Sequence, residues 1–323
     1  MSEIWEQCRV DWLNQAERKS GRGNTRRAYE ADMRGFLEFC GQRPGDVTAA
    51  HAEAWAQALA QAGQAPATIN RKLSALSSFY RYADEYPGLG PLRNPFASRT
   101  LRNRHSSQPV AFPTPEQIDD LLCAIPTGTA TGLRNLALIA GLIATTRRIN
   151  EMLSLRGGDI EHVARRLHWI TYRCKGGATN RQQLPDQIWQ ITETYLRRAE
   201  RWPLADSDYL YVALSDNGDR LHPDAGPVGC RPLNSGYVAR LIMRYGVAAG
   251  IPEQCLYPHA LRHAGTELRH EAGEDLIDLQ KTLGHRNPAT TISYLRRLER
   301  PVDRYAETIG ERLTRRLNLP IAR

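Results

Sequence analysis

Cysteine is sparse in this 323-residue chain, with six residues (Cys8, Cys40, Cys123, Cys174, Cys230 and Cys255) far apart and no CxxC pair. That usage excludes a disulfide framework and a zinc ribbon, and it fits reduced thiols in a cytoplasmic protein. Long apolar runs are missing as well. The longest, residues 136–144, suits a buried helix and falls short of the ~18 residues a membrane-spanning helix needs. The N-terminus lacks the apolar stretch of a secretory signal, so membrane and exported classes drop out. Lysine is scarcer still, four residues against 39 arginines. Arginine is the better bidentate partner for phosphate, although a GC-rich coding bias gives the same imbalance and is the simpler cause.

What is present is a globular composition, 41% hydrophobic and 24% charged, enough to bury a core. The length predicts about two domains. A net charge of +8 points weakly toward a polyanion. The surplus is shared: 15 basic against 11 acidic residues up to position 107, and 28 against 24 beyond it.

Apolar spacing predicts amphipathic helices over 25–40 (Tyr29, Met33, Phe36, Leu37, Cys40), 48–62 and 67–84 (Ile69, Leu73, Leu76, Tyr80, Ala83). Arg71, Lys72 and Arg81 lie off the last stripe and read equally as a solvated face or as contacts to a polyanion. Residues 87–115 are rich in proline and arginine and have no apolar period, a linker signature. The predicted organisation is a helical domain over 1–92, a basic linker over 93–115 and a second domain over 116–323. In the second domain Ile118, Leu121, Leu122 and Ile125 have helical spacing, and 133–145 is apolar on most sides and should be buried. RLHWITY and RQQLP flank CKGGATN as a hairpin, Ile188 to Ala199 give another helix, and Tyr209–Val212 reads as a short strand in a long loop.

The chemically informative residues are scattered. Arg148 follows the apolar helix in TTRRINEMLSL, and Lys175 sits at the hairpin tip. His259, Arg262 and His263 come from PHALRH, His285 from LGHRNPATTISY, and Tyr294 lies nine residues further on. A phosphodiester site needs these types. Two guanidiniums offset charge on the non-bridging oxygens, a tyrosine hydroxyl attacks phosphorus, and a lysine and a histidine move the protons. His259 and His263, at i and i+4, also have zinc-pair spacing, but no HExxH and no third ligand accompany them. His263 otherwise reads as a packing or hydrogen-bonding residue beside Arg262, and Glu151 as a residue that orients arginine or histidine neighbours.

Taken in order, these residues resemble the catalytic set of the tyrosine recombinases of the phage integrase family: Arg, Lys, His-x-x-Arg, His or Trp, and Tyr. Here the set reads Arg148, Lys175, His259-x-x-Arg262, His285 and Tyr294. RINEMLSLRGGDI, KGGATNRQQLP and LRHAGTELRHEAGEDLIDLQKTLGHRNPATTISY carry the likeness, with TRRAYEADMRGFLEF, ATINRKLSALSSFYRY and Asn94-Pro95 in the N-terminal part. The likeness spans residues 20–300. The chain departs from the family at Thr146-Arg147, where Gly-Leu is usual, and at Ala264, Gly265, Thr266, Glu267, Arg269 and His270, which predict a different packing of that helix.

The resemblance implies a mainly α, two-domain fold. A helical N-terminal DNA-binding (core-binding) domain would be joined to an α-rich catalytic domain with a small antiparallel β-sheet. It implies site-specific recombination, with Tyr294 forming a 3′-phosphotyrosine and Arg148 and Arg262 on the non-bridging oxygens. Lys175 would be the acid, His259 the base and His285 a hydrogen-bond donor. No metal and no other cofactor is expected. The implied partner is double-stranded DNA with inverted-repeat sites, bound by a homo-tetramer on two sites, with room for accessory proteins. A type IB topoisomerase-like nicking and resealing activity and a catalytically silent DNA-binding regulator are the alternatives.

Overall fold

The computed structural model describes residues 3–20, 23–98, 101, 111–173, 179–214 and 231–284. Its contacts divide the chain into two compact units, with the boundary between Ser107 and Gln108.

The first unit holds four α-helices among the described residues: α1 (Glu3–Ser20), α2 (Gly23–Cys40), α3 (Ala49–Gln61) and α4 (Pro66–Asp84). Thr48 and His51 form a capping box at the start of α3, and Pro66 occupies the first turn of α4, where its missing N–H costs nothing. Aromatic rings dominate the core. Trp12 stacks on Tyr29 at 5.1 Å and meets Phe79 edge-on at 5.3 Å, while Phe36 meets Trp55 and Phe96 edge-on at 5.2 and 5.1 Å. Phe96 and Leu101, inside the stretch with linker composition, are buried in this core. Asn94 secures Phe96 by donating to the Ser77 carbonyl at 3.0 Å and accepting from the Phe96 N–H at 2.9 Å.

The second unit is built around α6 (Ala130–Thr145), which is buried on nearly every side, as its continuous apolar sequence requires. Around it lie α5 (Pro115–Cys123), the single-turn α7 (Ile149–Leu153), α8 (Asp186–Arg198), α9 (Ser235–Ala248), α10 (Pro258–Glu271) and α11 (Leu276–Leu283). One antiparallel sheet, in the order β1 (Ile160–Ala164), β2 (Leu167–Arg173) and β3 (Thr179–Leu184), packs beside α6. On β2 His168, Ile170 and Tyr172 alternate inward. Two glycines permit close helix approach: an added Cβ would stand 2.6 Å from Met152 Cε at Gly141, and 2.1 Å from the Ile143 carbonyl oxygen at Gly265.

Among the described residues Tyr209–Val212, predicted as a short strand, forms isolated bridges and no ladder, Arg156 to Tyr209 and Val212 to Pro232. Leu210, Tyr211 and Val212 are buried, so the segment's apolar character reflects its packing and not membership of a sheet.

Candidate active site

The end of α6 organises the site. The last carbonyls of a helix lack helical partners and carry partial negative charge. Here each of three consecutive carbonyls accepts from an arginine. Arg269 Nη2 donates to Ala144 at 2.7 Å, Arg147 Nε to Thr145 at 3.2 Å, and Arg262 Nη1 to Thr146 at 2.5 Å. The Thr145 carbonyl also accepts from the Thr146 hydroxyl at 2.7 Å and from Gln182 on β3 at 3.0 Å. Thr146 turns the chain through the left-handed region with φ 53°, and the two following arginines part company.

Arg147 points inward and is 1% exposed, whereas the Arg148 side chain is 45% exposed. Arg148 is the N-cap of α7 and is held by the buried Glu151. One carboxylate oxygen accepts from Arg148 Nη1 at 3.0 Å, and the other accepts from its backbone N–H at 3.1 Å. The second oxygen also lies 3.9 Å from Arg147 Nη1. Glu151 therefore fixes the guanidinium of Arg148 while leaving it open to solvent, a geometry suited to an anionic ligand.

On α10, Pro258 sits in the first turn and starts the helix that carries His259, Arg262 and His263. Arg262 is buried, and its second terminal nitrogen donates to the Leu283 carbonyl at 2.7 Å, at the end of α11. Its guanidinium is thus aimed by two helix termini. His259 is exposed as a residue, with its ring partly buried. Partial burial, and then the positive charges of Arg262 and Arg148, hold its imidazole below the ordinary histidine range. That dependence places Arg148, His259 and Arg262 in one electrostatic neighbourhood, although they come from separate elements. His263 is buried, edge-on to His259 at 4.8 Å and 6.2 Å from the Phe112 ring. Among the described residues no group of three potential metal ligands occurs, so the His259–His263 spacing gains no further ligand there.

Lys175, His285 and Tyr294 lie outside the described residues. Chain neighbours of the first two are described. Arg173 pairs with Thr179 across the hairpin that carries Lys175, and Gly284, with φ 65°, closes α11 immediately before His285. In the first unit, Arg71 Nη2 donates to the buried Asp32 at 2.9 Å, and Lys72 Nζ lies 3.9 Å from the same carboxylate. These two cations thereby tie α4 to α2, while Arg81 is exposed. Arg147, Arg269 and Gln182 also meet at the end of α6, and nothing in their residue types marks them for that place. Arg269 was visible only as a charge on an apolar face.

Residues 112–300 match the phage integrase family, and residues 11–85 match the phage integrase N-terminal SAM-like domain. The chain belongs to the phage integrase family. It is a tyrosine recombinase, an enzyme that cleaves and rejoins DNA. It is similar to tyrosine recombinase XerD of Caulobacter vibrioides, with 31% identity over 299 residues that cover 90% of this chain and 91% of the relative. It is also similar to tyrosine recombinase XerC of Rhodospirillum centenum, with 31% identity over 286 residues that cover 84% and 76%. Two solved structures share its fold. One is the XerH site-specific recombinase bound to a palindromic difH substrate, with TM-score 0.67, 18% identity and coverage of 93% of this chain and 84% of that one. The other is the Tn1549 transposon integrase in complex with a circular intermediate DNA, with TM-score 0.67, 20% identity and coverage of 97% and 100%. The mainly α fold with a small antiparallel sheet expected from sequence is the fold observed.

Proposed function

We propose that this recombinase cuts double-stranded DNA at inverted-repeat sites through a 3′-phosphotyrosine on Tyr294. Arg148 and Arg262 bind the non-bridging oxygens of the scissile phosphate. The Tyr294 oxygen forms a bond to phosphorus as the bond from phosphorus to the 5′-oxygen breaks. The phenol proton passes to His259, Lys175 protonates the departing 5′-oxygen, and His285 donates a hydrogen bond to the phosphate. The 5′-hydroxyl of a partner strand then attacks the phosphotyrosine and regenerates the tyrosine. The phosphodiester energy is retained in the covalent link, so no nucleotide is consumed.

The observation that carries this reading is the convergence of Arg148, His259 and Arg262, each fixed by neighbours: Glu151 on Arg148, and the Thr146 and Leu283 carbonyls on Arg262. Two guanidiniums beside an imidazole kept neutral at pH 7 match the needs of a phosphodiester whose charge grows in the transition state. His263 packs behind His259 and positions it. In this reading residues 1–92 recognise DNA, with Arg81 and the exposed part of Arg71 on phosphates and Lys72 beside them. Residues 93–115 link to the catalytic part, 116–323. Four protomers act on two sites in the cytoplasm, with room for accessory proteins.

The test is covalent capture on a nicked duplex followed by denaturing electrophoresis. Tyr294→Phe should abolish the adduct and leave DNA binding within a few fold, because the ring is kept and the nucleophile is gone. An adduct that persists moves the nucleophile elsewhere. Relaxation of supercoiled DNA without strand exchange would favour a type IB topoisomerase-like activity.

A further inference from the structure

We infer that Arg147, which stands where the family usually has leucine, is a positioning residue for the phosphate site. The inference rests on the functional reading above. Three contacts support it, each on a different segment, and a fourth segment lies close by. Arg147 Nε donates to the Thr145 carbonyl at 3.2 Å, at the end of α6, one residue before the carbonyl that aims Arg262. Its Nη1 lies 3.9 Å from Glu151, the carboxylate that holds Arg148. Its guanidinium covers the Tyr172 ring at 4.3 Å, on β2. A Cβ placed on Gly284 would come 4.0 Å from Nη1, so the end of α11 lies near the same group.

Leucine could fill this volume but could not make the polar contacts. A planar guanidinium does both, since it stacks on an aromatic face and donates in plane. Glu151 divides its charge between two guanidiniums at 3.0 and 3.9 Å. Arg148 therefore stays fixed but shares its counter-charge with Arg147, and keeps more of its positive field for a ligand. Arg147 also adds a cation of its own beneath the site, 1% exposed and so poorly screened by solvent. Both effects favour the substrate most where its negative charge is greatest.

The experiment uses the full-length protein and a nicked duplex selected from a randomised pool by covalent capture on the wild type. Single-turnover cleavage is measured with a phosphodiester and with an uncharged methylphosphonate at the scissile position, for the wild type, Arg147→Leu and Arg147→Lys. On the phosphodiester, Arg147→Leu should cleave about 10- to 100-fold slower, by analogy with the loss when residues behind metal ligands are removed, with DNA affinity changed less than about threefold. Arg147→Lys, which keeps the charge, should recover part of the rate. On the methylphosphonate the leucine variant should fall within about threefold of the wild type, because less charge remains to be offset.

Three results overturn the inference: a leucine variant as fast as the wild type on the phosphodiester, an equal loss on both substrates, or a lysine variant no better than leucine. The last two would mean that Arg147 only holds the fold together. A wild type that captures no duplex overturns the functional reading instead, and this inference with it.

Discussion

Arg262 donates to the Thr146 carbonyl across 2.5 Å and so ties α10 to the residue that ends α6. The two helices come close enough because Gly265 faces the end of α6, where an added Cβ would stand 2.1 Å from the Ile143 carbonyl oxygen. Backbone cannot yield as a flexible side chain would, so the helices themselves would have to move.

Gly265→Ala should therefore separate α6 from α10. Overpacking of this kind costs about 1–3 kcal/mol, and the Arg262–Thr146 contact would lengthen with it. Thermal unfolding should show a lower midpoint, and single-turnover cleavage should fall further than DNA affinity. An alanine variant with unchanged midpoint and rate would show that the close approach is not required.

The His259 imidazole titrates below the ordinary histidine value of ~6.5, because burial, Arg262 and Arg148 disfavour its charged form. It is then neutral at pH 7 and stays neutral into mildly acidic solution. Cleavage should decline only as pH falls through this lowered value, which puts the acid limb of the rate profile below about 6.5. Stability follows the same sign. The unfolded chain takes up the proton first, so stability contributed by neutral His259 is lost as pH drops below about 6.5. NMR titration of the imidazole should show its midpoint move upward in Arg148→Ala. A midpoint indifferent to Arg148 would contradict the shared electrostatic neighbourhood.

Cleavage should survive EDTA and need no added nucleotide, since Arg148 and Arg262 offset the charge that a divalent ion would otherwise offset. Covalent capture in chelator, with and without added Mg²⁺, measures this. Capture lost in EDTA and restored by Mg²⁺ would put a metal in the mechanism.

Much of the fold was legible because its helices carry regular apolar stripes, as in α2, α4 and α8. The exceptions have physical causes. In α1 only Cys8, Trp12 and Leu13 are deeply buried, amid charged residues that mask the period. β1 is an edge strand with exposed side chains, so it lacks the alternation that marks a half-buried strand. Of the proposed site, Arg148, Glu151, His259 and Arg262 could be named from motifs. The different fates of the adjacent Arg147 and Arg148 could not, because residue type does not tell which way a side chain turns after a left-handed cap. Nor could the acceptors be read, since a backbone carbonyl is the same in every residue.

That sameness has a genetic consequence. The oxygens of Ala144, Thr145 and Thr146 that receive Arg269, Arg147 and Arg262 remain in place whichever side chain those three positions bear, as long as the backbone keeps its course. Each donor, in contrast, can be lost through a single codon. Loss of these contacts through side-chain chemistry therefore falls on the arginines, while the acceptor side is sensitive only through packing and backbone course, as at the buried Thr146 with its φ of 53°.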